Sequence, residues 1–205
     1  MLELPLYSNL EEVRRAALAC RACGRAETRT QVVFGAGNPA AALMLVGEAP
    51  SATDDATGRP YTGPAGDVLD ELLAEAGTHR DEIWITNLLR CFEGRERDGR
   101  PENQPARASE IRACSRWLNL EIQFVQPKVI VAIGAPAARA LISPEFRLTE
   151  GRGRVHIRPD GIQVIATTQP AYVMRLRTLA DQETADAERA RLVDDLRRAV
   201  AAAGL

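Results

Sequence analysis

Residues 47–66 read GEAPSATDDATGRPYTGPAG, a stretch from which large aliphatic side chains vanish while Gly, Pro, Thr and carboxylates crowd together. Glu48, Asp54 and Asp55 are its carboxylates, and Tyr61 is its single aromatic. A segment this long, directly after an apolar run, is either functional or an elaborate solvated connection. It is not a phosphate loop, because the Lys-Ser/Thr ending is missing, and its glycine spacing differs from a dinucleotide fingerprint.

The cysteines are the second reactive set. Cys20 and Cys23 form a CxxC, whereas Cys91 and Cys114 stand far along the chain. In a reducing compartment such thiols argue against structural disulfides. They are then metal ligands, redox groups or buried apolar fillers, and one CxxC does not decide between zinc, iron–sulfur and dithiol chemistry. A thioredoxin-like role is disfavoured, because the pair precedes the first expected strand instead of opening a helix after it.

Groups of this kind need a frame. Four apolar runs rich in Val, Ile and Leu, at residues 43–46, 83–86, 129–133 and 162–167, are continuous and not alternating. That pattern predicts strands buried on both faces of a parallel sheet. Helical periodicity covers 10–19, 65–76, 107–124 and 136–141. A last amphipathic helix carries Leu192, Val193, Leu196, Val200 and Ala203 on one face, with Asp181 as its cap and Gly204 as its stop. The expected fold class is α/β, a three-layer α/β/α domain over residues 1–205 around a central four-stranded parallel sheet. In such sheets ligands bind beyond the carboxyl ends of the strands. The runs end at Gly47-Glu48-Ala49, at Asn87, at Gly134 and at Gln169-Pro170, so a site is expected there. Residues 92–105 set Arg95, Arg97 and Arg100 against Glu93, Glu96, Asp98 and Glu102, and read as a mobile, solvated excursion.

Bulk properties set the outer bounds. With 205 residues, 45% hydrophobic and 26% charged, the chain can bury a core of its own as one domain. No apolar run approaches the roughly 20 residues that span a bilayer. The opening MLELPLYSNLEEVRR lacks a charged-then-apolar leader, so the expectation is a cytoplasmic protein without a membrane partner. A formal charge of −2 does not by itself point to nucleic acid, but phosphate binding depends on where the cations sit. Lys128 is the only lysine. Arginine forks suit phosphate, though such a bias also follows from genomic base composition. Arg147, Arg152, Arg154 and Arg158, set against Glu150, mark either an anionic partner or a solvated face.

Taken in order, these motifs resemble those of family 4 uracil-DNA glycosylases. The 47–66 segment is similar to that family's Gly-Glu-x-Pro-Gly-x-x-Glu-Asp loop followed by Thr-Gly-Arg-Pro-Phe-x-Gly-x-Ala-Gly. Ile85-Thr86-Asn87 precedes Cys91, and Arg100-Pro-Glu-Asn103 resembles Arg-Pro-Pro-x-Asn ahead of Cys114. Gln169-Pro-Ala-Tyr-Val-Met-Arg175 is similar to His-Pro-Ala-Tyr-Leu-Leu-Arg. The resemblance implies a monofunctional DNA glycosylase of base excision repair, a monomer that flips uracil out of DNA and hydrolyses its N-glycosidic bond. It implies that Cys20, Cys23, Cys91 and Cys114 ligate a 4Fe–4S cluster, and that the protein is cytoplasmic and nucleoid-associated. By position, Tyr61 supplies the stacking face, Asn87 reads the uracil edge, and Gly47 and Ala49 line the base pocket. Asp54 orients water and steadies the sugar cation, Glu48 lines the same pocket, and Asp55 supports the turn. Gln169 donates to the departing base, and on a tip that follows it Met174 wedges into the stack and Arg175 meets a phosphate.

The chain departs from the pattern with Ser51 for Gly, Asp54 for Glu, Tyr61 for Phe and Gln169 for His, and neither His79 nor His156 falls in the last motif. These departures keep two other readings open, a catalytically weak or inactive iron–sulfur protein that binds DNA damage, and a glycosylase for another deaminated base such as hypoxanthine. Residues 92–114 contain no His, which excludes the covalent trapping of DNA used by a related branch.

Overall fold

The computed structural model describes residues 7–97 and 100–205. Its strands are β1 (Ala36–Gly37), β2 (Leu43–Gly47), β3 (Trp84–Asn87), β4 (Gly94–Arg97), β5 (Arg100–Asn103), β6 (Val129–Ile133), β7 (Val155–Ile157) and β8 (Gln163–Thr167). The helices are α1 (Leu10–Leu18), α2 (Ala52–Thr57), α3 (Pro64–Ala76), α4 (Ala108–Val125), α5 (Ala135–Leu141), α6 (Leu148–Gly151), α7 (Pro170–Leu179) and α8 (Gln182–Ala203).

The four expected strands form the parallel centre of a six-stranded sheet ordered β1-β3-β2-β6-β8-β7. Its two edges, β1 and β7, run antiparallel to their neighbours. Successive side chains of a strand point to opposite faces, and both faces are covered here. Leu43 and Leu45 of β2 pack with α3, α7 and α8, whereas Met44 and Val46 pack with α1, α4 and α5. Full burial of each such side chain is worth about 1.5–3 kcal/mol. This two-sided burial is why the runs are apolar throughout.

The chain leaves β2 through α3 on one face to reach β3, then crosses by α4 on the other face to β6. The direction of winding therefore reverses around β2, and a crevice opens beyond the carboxyl ends of β2 and β6. Asp181 caps α8 by accepting from Thr184 N at 2.7 Å, and Gly204 at φ 78° ends it, both as expected.

Three expectations need correction. Residues 92–105 are not an irregular excursion, because β4 and β5 pair as a hairpin with Gly94 opposite Asn103 and Arg97 opposite Arg100; Asp98 lies outside the described residues. The segment after Gln169 is not a loop tip but helix α7, with Pro170 at its first position where the missing N–H costs nothing. The basic stretch near residue 150 is largely neutralised within the fold. Arg147 pairs with Glu150, Arg158 with Asp160, and Arg152 with Glu188 and Asp195. Among the described residues, no helix is long and apolar enough to cross a membrane.

Candidate active site

The crevice holds a cavity of about 520 Å³, within the range typical of ligand pockets. Glu48 and Ala49 from the end of β2, Asp54, Tyr61, Gln169 and Arg175 all line it. Gly47 and Asn87 are not among the residues that line it; they lie next to Tyr61 and make a floor at its hydroxyl. Met174 does not line the cavity; it is partly buried and packs against the core beneath α7.

The floor is fixed by backbone. Leu88 N donates to Gly47 O at 2.8 Å and Leu89 N to Glu48 O at 3.0 Å, so pairing of β2 with β3 continues past the strand ends. This sets Asn87 directly beside Gly47. A Cβ on Gly47 would stand 2.3 Å from Asn87 Oδ1 and 2.4 Å from the Tyr61 hydroxyl, so only glycine fits. Asn87 is 2% exposed, and its carboxamide makes no hydrogen bond to another described residue.

Tyr61 adopts φ 55°, a left-handed conformation uncommon for a large side chain. Burial, reinforced by the charges of Asp54 and Glu48, pushes its phenol above the ordinary range, so the hydroxyl stays protonated.

Asp54 is 5% exposed and held at both oxygens. Oδ2 accepts from Ser51 N at 2.8 Å, completing a capping box at the start of α2, while Oδ1 accepts from Thr62 N at 2.7 Å and Thr62 Oγ1 at 3.0 Å. The carboxylate is thus first a fastener of its own loop, with Oδ2 retaining a lone pair. Asp55 turns the other way and accepts from Thr30 N at 2.8 Å and Gln31 N at 3.3 Å, which ties α2 to residues 30 and 31.

Glu48 connects two walls. Its Oε1 accepts from Ala106 N at 3.0 Å and its Oε2 faces Gln169 Nε2 at 3.5 Å. Gln169 sits at the N-cap of α7, and Arg175, exposed on that helix, stacks over exposed Tyr172 at 5.8 Å.

Cys20 and Cys23 lie within electrostatic reach of Cys91, and Cys20 and Cys91 within reach of Cys114. Cys91 and Cys114 are buried, and Cys20 and Cys23 are half-buried. Burial raises the Cys91 thiol, and nearby Cys23 and Cys20 add to this against the pull of Arg29, whose Nη1 donates to Cys91 Sγ at 3.0 Å. Cys114 is pushed up to about 11 by burial, with Cys91 and Cys20 adding and Arg90 opposing. Among the described residues, no three His, Cys, Asp or Glu side chains stand as a metal-holding group.

Two buried arginines were missed by the sequence reading. Arg25 is 1% exposed; it pairs with Glu110 at 3.0 Å and donates to the carbonyls of Gln104 at 3.2 Å and Pro105 at 3.1 Å, both on the cavity wall. Arg90, also 1% exposed, donates to the Asn87 carbonyl and pairs with fully buried Glu121 at 2.8 Å. Burial pushes the Glu121 carboxyl up, against Arg90 and the Gly35 amide, which donates at 3.0 Å. The hint for this pair was Glu121 itself, a charge within the apolar run of α4.

Residues 34–197 match the family model described as the uracil DNA glycosylase superfamily. The chain is 36% identical to a type-4 uracil-DNA glycosylase of Thermotoga maritima over 82% of its own length and 85% of that protein. It is 34% identical to a type-4 uracil-DNA glycosylase of Archaeoglobus fulgidus, covering 87% and 89% of the two chains. Similarity to a type-5 uracil-DNA glycosylase of Thermus thermophilus reaches 36% identity but covers only 54% of each chain.

Proposed function

The chain belongs to the uracil DNA glycosylase superfamily, and from that premise we propose that it is a monofunctional DNA glycosylase hydrolysing the N-glycosidic bond of uracil in DNA during base excision repair. The observation that carries this reading is the meeting of Tyr61, Asp54, Glu48 and Gln169 in one cavity, with Asn87 beside Gly47 at the Tyr61 hydroxyl.

A base inside a duplex is out of reach, so the nucleotide swings out into the cavity. Tyr61 receives its face, and stacking on an aromatic ring is worth about 1–3 kcal/mol per base. Asn87 meets its edge, the carboxamide oxygen accepting from N3–H and the amide nitrogen donating to O4. Cytosine presents the reverse pattern and leaves both groups of a buried amide unpaired. As the C1′–N1 bond breaks, its electron pair leaves with the base and negative charge gathers on O2. Gln169 supplies a donor there. Glu48 sets the orientation of that amide, because a carboxylate beside it requires the NH2 end, leaving the second N–H for the base. Water forms the new bond to C1′ and its proton passes to solvent. Asp54, fixed by Ser51 and Thr62, orients that water and steadies the positive sugar. Arg175 and Tyr172, exposed at the rim, face the DNA backbone. The enzyme acts as a monomer in the cytoplasm, at the nucleoid.

Cys20, Cys23, Cys91 and Cys114 would hold a 4Fe–4S cluster. An all-sulfur donor set with Arg29 donating to Cys91 Sγ suits such a group, whose anionic sulfurs take N–H donors. When bound, the cluster fastens the N-terminal segment and the β4–β5 base to the domain.

The test is alkaline cleavage of single- and double-stranded oligonucleotides carrying uracil or hypoxanthine, using wild type, Asn87→Ala and Gln169→His. Strand breaks at uracil that Asn87→Ala abolishes support the proposal. An inert wild type that still binds uracil-DNA, or one that cuts only at hypoxanthine, overturns it.

A further inference from the structure

Tyr61 holds a backbone conformation that a bulky residue adopts only when its surroundings impose it. Two neighbours do so. A Cβ on Gly66 would stand 1.9 Å from the Tyr61 carbonyl oxygen, so the peptide turns onto a position that only glycine leaves open. Arg80, in the turn before β3, then fastens that peptide from outside. Its Nη2 donates to Tyr61 O at 2.6 Å and to Gly66 O at 3.1 Å, its Nη1 to Pro60 O at 3.3 Å, and its Nε pairs with Asp70 of α3. The Arg80 side chain is 31% exposed, and the residue does not line the base cavity.

We propose that Arg80 is a positioning residue, a clamp that sets the plane of the Tyr61 ring before a base arrives. The inference rests on the reading of Tyr61 as the stacking face. Three carbonyls gathered by one guanidinium demand a planar fork of fixed donors, which the point charge of lysine does not reproduce. Asp70 holds the fork in register from α3, whose N-terminal residue, Pro64, lies just beyond Tyr61. The ring is thereby held between fixed points, the clamp behind its carbonyl and the Gly47–Asn87 floor at its hydroxyl. A ring placed in advance spares the complex the ordering that a loose one would require on binding.

The experiment is a double-mutant cycle of Arg80→Ala and Tyr61→Ala, with Arg80→Lys alongside, read by uracil release and by hydrogen exchange over residues 58–66. Arg80→Ala is expected to lower kcat/KM about 10- to 100-fold where Tyr61 is present, as misplacement of a positioned group does. In the Tyr61→Ala background the same change costs less than about 2-fold, because the residue it acts through is gone. Exchange over 58–66 rises about 10-fold in Arg80→Ala while the core strands keep their protection, and Arg80→Lys restores only part of both. Asp70→Asn, a milder release of the same fork, shifts both readouts in the same direction and serves if Arg80→Ala does not fold. An equal penalty in both backgrounds, or unchanged exchange, overturns the clamp. A wild type that releases no uracil overturns the function proposed above instead, and exchange alone then decides for or against the clamp.

Discussion

Glu48 Oε2 faces the Gln169 carboxamide nitrogen at 3.5 Å while its Oε1 accepts from Ala106 N at 3.0 Å. One carboxylate therefore satisfies two donors from opposite walls. In Glu48→Gln a single oxygen must serve both, and the new NH2 faces one of the two N–H groups. Single-turnover uracil release is expected to fall about 10-fold or more, with little change in melting temperature. An unchanged rate would separate Glu48 from the orientation of Gln169.

In the proposed mechanism Gln169 is the donor toward the departing base. Removing such a donor costs about 100- to 1,000-fold in rate, so Gln169→Ala should lose that much in kcat while still binding uracil-DNA. Gln169→His places a ring N–H beside the Glu48 carboxylate and should match or exceed the wild-type rate. Single-turnover kinetics on one oligonucleotide rank all three; a Gln169→Ala rate equal to wild type would remove the residue from the reaction.

Gly47 has no room for a methyl group, which would stand 2.3 Å from Asn87 Oδ1 and 2.4 Å from the Tyr61 hydroxyl. Gly47→Ala pushes the reading amide and the stacking ring apart. Stability should drop by about 1–3 kcal/mol, as overpacking does, and kcat/KM by about 100-fold. Chemical denaturation beside a rate assay tells the two losses apart.

The Tyr61 phenol is raised by burial and then by the charges of Asp54 and Glu48. The folded state therefore keeps this proton after the unfolded chain has lost its own. The sign follows: above about pH 10, where an ordinary tyrosine ionises, stability declines as pH rises. An ultraviolet titration of the three tyrosines should show one that ionises later than the others, missing in Tyr61→Phe. Coincident titration of all three contradicts the buried placement.

If Cys20, Cys23, Cys91 and Cys114 hold the cluster, purified protein carries about four iron atoms per chain. Each Cys→Ser variant should lose iron and visible absorbance together. Cys114→Ser, at a buried position of α4, should also lower the melting temperature most. A colourless protein containing zinc would replace the cluster with another metal and leave the base cavity untouched.

The parallel centre of the sheet was legible because burial on both faces writes continuous Val, Ile and Leu runs. Edge strands β1 and β7 were not, being two and three residues long, with Val155 and Ile157 exposed. The β4–β5 hairpin pairs outside that sheet and so lacks an apolar register to read. Asn87 and Gln169 drew notice because Asn87 ends β3 and Gln169 follows β8 by two residues, where ligands collect in such sheets. Asp54 was singled out only by the resemblance, although Ser51 three residues earlier already spelled a capping box. Arg25, Arg80 and Arg90 were invisible for a different reason. Apart from carboxylates, their partners are main-chain carbonyls, which every residue possesses and no sequence pattern marks.

Arg25 reaches Gln104 and Pro105 across 79 and 80 residues of chain. Contacts so distant form late, after local helices and neighbouring strands have closed shorter loops. During synthesis the N-terminal segment emerges long before the partners that bury its guanidinium, and it waits undocked until the start of α4 exists. The Gln104–Pro105 wall is fastened only then, with β6, β8 and Gln169 still to follow, so a half-made chain has no completed chamber with which to attack DNA.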